Sequence, residues 1–165
     1  MPNFWLMKSE PDDVSIDDLA DAPNQTLPWT GVRNFQARNF MREMQPGDGV
    51  LFYHSSCPQP GIAGLARIVG NLVPDSTQFD ADNRYHDPKS RPERPRWSQI
   101  DVKLERKTRL LRLSEMREHC APKTKMLLRF AVARMQPLQC RPRILSHVRS
   151  RQTCPTKPAP IFSEQ

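Results

Sequence analysis

Two strings, WTGVRNFQAR at 29–38 and FYHSSCPQPGIAG at 52–64, gather the side chains best suited to chemistry. Each sets glycine and aromatic residues beside polar groups where a regular element begins or ends, a placement that suits a pocket rather than a core. In the first string Trp29 offers a stacking face, Gly31 allows close backbone approach, and Arg33 can meet a phosphate or a base edge. Backbone amides at the start of a helix beginning near Arg33 can hold a polar or anionic group. The plainer account of the same residues packs Trp29 in the core and uses Asn34 as a helix cap. In the second string, period-2 alternation puts Phe52 and His54 on one strand face and Tyr53 on the other, with Ser55 at the turn into the loop. A neutral imidazole both donates and accepts hydrogen bonds, which suits reading the edge of a base. A core histidine satisfied by backbone is the competing account. Gly61 and Gly64 leave backbone groups open to a ligand, or mark a β-bulge.

Other positions carry compatible chemistry. Trp5 lies in a first strand that ends at Ser9 and Glu10, and Glu10 could accept from a cytosine amino group. A buried indole and an exposed loop carboxylate explain this pair equally. Asp87 and Trp97, from a long proline-rich stretch, could complete an aromatic cage, although Asp87 can also simply fix the turn before Pro88. Lys89, Arg91, Arg94 and Arg96 border that stretch and could steer phosphate, or could form a solvated loop. Flat walls, a few donors and acceptors, and small residues beside them are what a protein needs to inspect an unpaired base. Spacing alone does not show that these residues converge.

Competing chemistries lack their signatures. There is no GxSxG, no Walker loop, no HExxH and no zinc-deaminase pattern. His54 with Cys57 is a conceivable nucleophile pair, three residues apart at a strand end. Cys57, Cys120, Cys140 and Cys154 form no CxxC pair, and the four histidines share no ligand spacing with them, so neither a metal site nor a cofactor is expected.

The elements that must hold these residues follow from pattern. The apolar segment 3–7 predicts a first strand, and Ser15 before IDDL predicts a short capped helix. Residues 24–30 read as loop. Ala37, Phe40, Met41 and Met44 recur at helical spacing and predict a helix over 33–44, ended by PGDG. Strands are predicted at 50–54 and 61–69, and at Ile100, Val102 and Leu104, which alternate with charged neighbours. Residues 70–96 form a long excursion of the length usually functional or disordered. A further helix is predicted at 114–119.

The 165 residues carry a formal net charge of +7, with a sequence pI near 9.6. Residues 1–118 hold 16 Lys and Arg against 17 Asp and Glu, so the excess lies entirely in the last stretch. Global basicity is therefore no argument for nucleic acid. The chain has no apolar run long enough to span a bilayer and no signal-peptide pattern, and the expectation is a soluble, reduced, intracellular protein without a membrane partner.

WTGVRN and the glycine-flanked second string, with FWLMKSEP at 4–11 and YHDP at 85–88, resemble the EVE domain family, a relative of the PUA fold. The resemblance is clear to about residue 118 and weaker to 138, where KMLLRFAVARMQPL at 125–138 stands in for a barrel-closing strand. It implies an α+β, mostly β, PUA-like pseudo-barrel with short peripheral helices over residues 1–138. An atypical basic tail over 139–165 would follow, divergent or frame-altered, with disorder the default expectation. The implied function is non-catalytic recognition of a modified base, a 5-substituted cytosine in DNA. A modified-RNA module is the alternative, ahead of a nucleic-acid-processing enzyme; a damaged gene product that keeps the pocket is a fourth possibility. The implied base site comprises Trp5, Ser9, Glu10, Trp29, Gly31, Val32, Asn34, Tyr53, His54, Ser55, Asp87 and Trp97, with Trp29 and Trp97 facing one hollow. Arg33, Arg38 and Lys89 are the implied phosphate contacts. The implied compartment is the cytoplasm, or the nucleus in a eukaryote.

Overall fold

The computed structural model describes residues 2–119, with side chains as far as Met116. The chain is α+β and mostly β, and its sheet curls into a half-barrel. The six strands are β1 (Phe4–Ser9), β2 (Thr26–Trp29), β3 (Gly49–His54), β4 (Gly61–Ile68), β5 (Val73–Pro74) and β6 (Ser98–Arg112). Three short helices accompany them: α1 (Ile16–Asp21), α2 (Phe35–Met41) and α3 (Leu113–His119). The main path runs β1-β3-β4-β6-β2, with β5 paired to β6. Only β1 and β3 are parallel; the other pairs are antiparallel.

Trp29 on β2 and Phe52 on β3 reveal the curl. Their strands are separated by β4 and β6, which in a flat sheet would hold them roughly 14 Å apart. Their rings nonetheless meet edge to face with centroids 5.4 Å apart. The 15-residue β6 makes this possible by pairing with β4 along most of its length and with β2 nearer its start. Register shifts between Ile62 and Gly64, and between Leu65 and Ala66, break the β4–β6 ladder and increase its local twist. Gly61 and Gly64 serve that close packing. A Cβ at Gly61 would lie 2.4 Å from the Leu111 carbonyl oxygen, and one at Gly64 would lie 2.7 Å from the Ile16 side chain.

The strand at 26–29 replaces the predicted loop. Pro28 hid it from pattern, but β2 is an edge of the described sheet, where a missing N–H leaves no ladder bond broken. The predicted helix over 33–44 is shorter, Phe35–Met41; Asn34 caps it by accepting from the N–H groups of Gln36 and Ala37 (2.9 and 3.1 Å). Its buried stripe of Ala37 and Met41 is the predicted one, and Met44 joins the core just beyond. The excursion over 70–96 is tied down by Gln78, whose side chain is fully buried. Its amide nitrogen donates to the carbonyls of Asp75 and Trp97 (2.6 and 2.9 Å), while its oxygen accepts from Ser90 and from the N–H groups of Arg96 and Trp97. The predicted closing strand over 125–138 and the tail lie outside the described residues.

Helix α1 buries Ile16 and Leu19 in the core, and one imidazole ties its start to β3. Ser15 and Asp18 form a reciprocal capping box, and the Ile16 N–H donates to His54 Nε2 (3.0 Å). Burial lowers the His54 pKa despite the opposing pull of Asp17 and Asp18, so the folded state favours the neutral ring that can accept this bond. A lowered folded pKa means that the unfolded chain binds the proton more readily. His54 therefore stabilises the fold above its ordinary value of about 6.5, and this contribution is lost as pH falls towards the lowered value. The unfolding midpoint should drop between pH 7 and pH 5, and His54→Gln, which cannot titrate, should flatten that drop. Equal slopes in both proteins would contradict this.

Candidate nucleic-acid interface

The curl leaves a cavity of about 360 Å³ between β1, β2, β3, the start of α2 and the excursion loop. That is near the lower end of the roughly 300–1,000 Å³ seen for small-ligand sites, room for one nucleoside-sized guest. Its floor is apolar, with Leu19, Leu27, Phe52 and Val102. Trp29 and Tyr85 bring aromatic wall, and Ser9, Glu10, Asp13, Thr30, Asn34 and Arg84 bring polar groups. This division, an apolar body with a few polar groups, is what orients a flat heterocycle.

One buried carboxylate fixes the wall. Asp75 has no side-chain exposure, and its Oδ2 accepts from the Gly31 N–H (3.0 Å) and from Arg33 Nη1 (2.8 Å). Its Oδ1 accepts from both the N–H and the hydroxyl of Thr77 (2.9 and 2.6 Å). Burial pushes the Asp75 carboxyl upward, but the bonds from Thr77, Arg33 and Gly31 outweigh it and hold the group below the ordinary carboxylate range. Arg33 completes the tie by donating from Nε to the Tyr85 carbonyl (2.7 Å) and from Nη2 to the Thr77 hydroxyl (2.8 Å). The WTGVRN string and the YHDP string, far apart in sequence, are thereby fastened together.

Gly31 is required by this contact. Its φ is +74°, and a Cβ there would lie 2.6 Å from the Tyr85 ring. The Tyr85 hydroxyl donates to Asp13 (2.7 Å) and accepts from Arg84, which also pairs with Asp13 at 2.5 Å.

Of the expected base-site residues, Ser9, Glu10, Trp29, Gly31, Val32, Asn34 and Ser55 line the cavity, as does Arg33. Trp5 does not: it is buried, and its indole N–H donates to Asp48 (2.8 Å). Tyr53 is buried and His54 holds α1, both away from the cavity wall. Trp97, expected to face Trp29 across one hollow, is also off the wall. Its ring packs on Phe35 with centroids 4.9 Å apart, and its indole N–H donates to Asp87 (2.6 Å). Asp87 also pairs with Arg96 at 3.0 Å, so it anchors the excursion. Among the expected phosphate contacts, Arg33 has all three guanidinium nitrogens bonded to protein acceptors. Arg38 donates to the Arg96 carbonyl (3.0 Å), and Lys89 is exposed.

Sequence reasoning missed Tyr85, Arg84, Asp13, Thr30 and the floor residue Phe52 as cavity residues. Thr30 and Tyr85 lie within the WTGVRN and YHDP strings. Asp13 and Arg84 carry no local signal. Among the described residues, no group of three or more His, Cys, Asp or Glu side chains could hold a metal ion. No described helix is long and apolar enough to cross a membrane.

The family model of the EVE domain matches residues 3–141. The chain belongs to the EVE domain family. It is 50% identical over 125 residues to chicken thymocyte nuclear protein 1, covering 70% of this chain and 52% of that protein. With the human protein of that name it shares 46% identity over 129 residues, covering 72% and 57%. This EVE chain thus spans about half the length of these curated relatives. The human THYN1 protein in complex with 5-methylcytosine-containing DNA superposes with a TM-score of 0.79 at 41% identity, covering 84% of this chain and 91% of that one.

Gly31→Ala should destabilise the fold by roughly 1–3 kcal/mol, through left-handed backbone strain and the clash with Tyr85, and should shift the Tyr85 ring resonances in an NMR spectrum. Gly47→Ala is the control: its φ is +95° but nothing lies within 4 Å, so the Tyr85 resonances should stay in place. Identical Tyr85 spectra in both variants would contradict the packing described.

Proposed function

We propose that this EVE domain is a non-catalytic reader of a modified nucleobase, and that the base is a 5-substituted cytosine in DNA. The observation that carries the reading is the cavity: room for one base, an apolar floor, aromatic wall and a polar rim. A base can enter such a site only when unpaired or extruded from its helix. The likeness to the human protein bound to 5-methylcytosine DNA supports both the substrate class and the choice of DNA.

In this reading Trp29 and Tyr85 stack on the base, an interaction worth about 1–3 kcal/mol per base. Glu10 accepts from the exocyclic amine. Asn34 donates from its amide nitrogen, which its helix cap does not use, because the capping bonds go to Oδ1. Ser9, Ser55 and Val32 shape the rim, and the floor takes the substituent at C5. Trp5, Tyr53 and His54 hold the fold away from the cavity, Asp87 and Trp97 anchor the excursion, and Lys89 meets phosphate. For this chain the compartment follows the DNA, nuclear where there is a nucleus and cytoplasmic otherwise.

The test is a binding screen of the full chain against methylated and plain cytosine oligonucleotides, as DNA and as RNA, at one fixed salt concentration. The expected result is at least about tenfold tighter binding to 5-methylcytosine DNA, the scale available to one methyl group in an apolar pocket, with the oligonucleotide recovered chemically unchanged. Equal affinity for methylated and plain DNA, tighter binding of the RNA, or turnover of the oligonucleotide would overturn the reading.

A further inference from the structure

Phe35 is the most exposed of the large apolar side chains on the described surface, at 51%. It follows Asn34 and lies two residues before Ala37, both of which line the cavity, so it sits beside the cavity mouth. Its ring is backed by Trp97, which is buried and fixed through its indole N–H to Asp87. Around the pair lie three guanidinium groups. Arg38 is 4.9 Å and Arg96 5.6 Å from the Phe35 centroid, and Arg33 is 5.6 Å from that of Trp97. Arg33 and Arg96 are neutralised by Asp75 and Asp87. Arg38 and its neighbour Arg42 have no carboxylate partner among the described residues, and burial followed by repulsion from Arg42 and Arg96 lowers the Arg38 pKa. Arg38 Nε is a buried donor with no acceptor among the described residues, while Nη1 donates to the Arg96 carbonyl (3.0 Å) and Nη2 to Asn39 Oδ1 (3.3 Å), so turning the group towards an anion exchanges those two bonds and gives Nε an acceptor.

A rigid aromatic pair, excess positive charge and an orphan guanidinium donor are what single-stranded nucleic acid is bound by. The cavity accommodates one base, so the strand that carries it must continue outside. We infer that Phe35 and its arginines form a second subsite for the nucleotide next to the extruded base, with the neighbouring base packed on Phe35 and its phosphate on Arg38. This rests on the base-reader reading, and it adds a contact to the strand that the cavity does not make.

The test uses the full chain with three probes: 5-methyldeoxycytidine monophosphate, a nine-nucleotide single-stranded DNA with one central 5-methylcytosine, and the same nonamer with plain cytosine. Phe35→Leu keeps an apolar side chain against Trp97 but removes the aromatic face, and thermal melts check that it folds. It should weaken binding of the nonamer about tenfold and leave the mononucleotide unaffected, while Phe35→Trp retains nonamer affinity. Arg38→Gln should lower the slope of log affinity against log salt by about 0.7. Unchanged nonamer affinity in Phe35→Leu, or equal loss for nonamer and mononucleotide, overturns the subsite while methyl preference in the parent protein keeps the cavity reading. If the parent shows no methyl preference, the cavity reading fails. In that case the subsite falls with it, whatever Phe35→Leu does to the plain nonamer.

Discussion

A single carboxylate without solvent exposure, Asp75, joins the two loops that make the cavity possible. It accepts from the Gly31 backbone, from Arg33 and twice from Thr77, and Arg33 carries the tie onward to the Tyr85 carbonyl. Removing one partner from a buried ion pair typically costs about 3–5 kcal/mol, because the other charge is left without compensation. Here the cost would fall on the cavity wall, since Asp75 ties the loop after β2 to the excursion. Gln78 plays the same part a few residues on, satisfying five groups of the excursion at once. A long proline-rich segment is thereby made rigid by polar contacts rather than by an apolar core.

The sheet supplies the rest. Its curl brings the edge strand β2 to within ring contact of β3, and the apolar floor is simply the concave side of that curl. The loops supply the cavity wall and the strands behind them its floor. Glycines in the informative strings serve close approaches in both. Gly31 makes room for Tyr85, while Gly61 and Gly64 let β4 and β6 approach through a bulge.

Much of this was legible in the chain. Alternation identified the first part of β6 but not its run on to Arg112, the SIDD pattern identified the α1 cap, and Asn34 serves as a cap just as its position before an amphipathic stripe suggests. Trp29 and Gly31 fell in a string specific enough to place them at a pocket. What was not legible depends on contacts between distant residues. Asp75 meets Gly31 across 44 positions and Arg33 meets the Tyr85 carbonyl across 52, and no periodicity records the path of a loop. Trp5 and Tyr53 were read as pocket groups, but β1 and β3 bury most of both faces, so alternation could not say which side held a guest. The resemblance implies Trp97 opposite Trp29, but its neighbour in the structure is Phe35, at the start of α2.

The central claim is that one base leaves its strand and occupies the hollow between the β2 edge and the excursion. A crystal structure of this chain with a short duplex carrying a single 5-methylcytosine tests it most directly. The account predicts the methylated base out of the helix, its ring against Trp29 and its amino edge within hydrogen-bond reach of Glu10. A complex in which every base stays stacked in the duplex, with the hollow holding none, would contradict it.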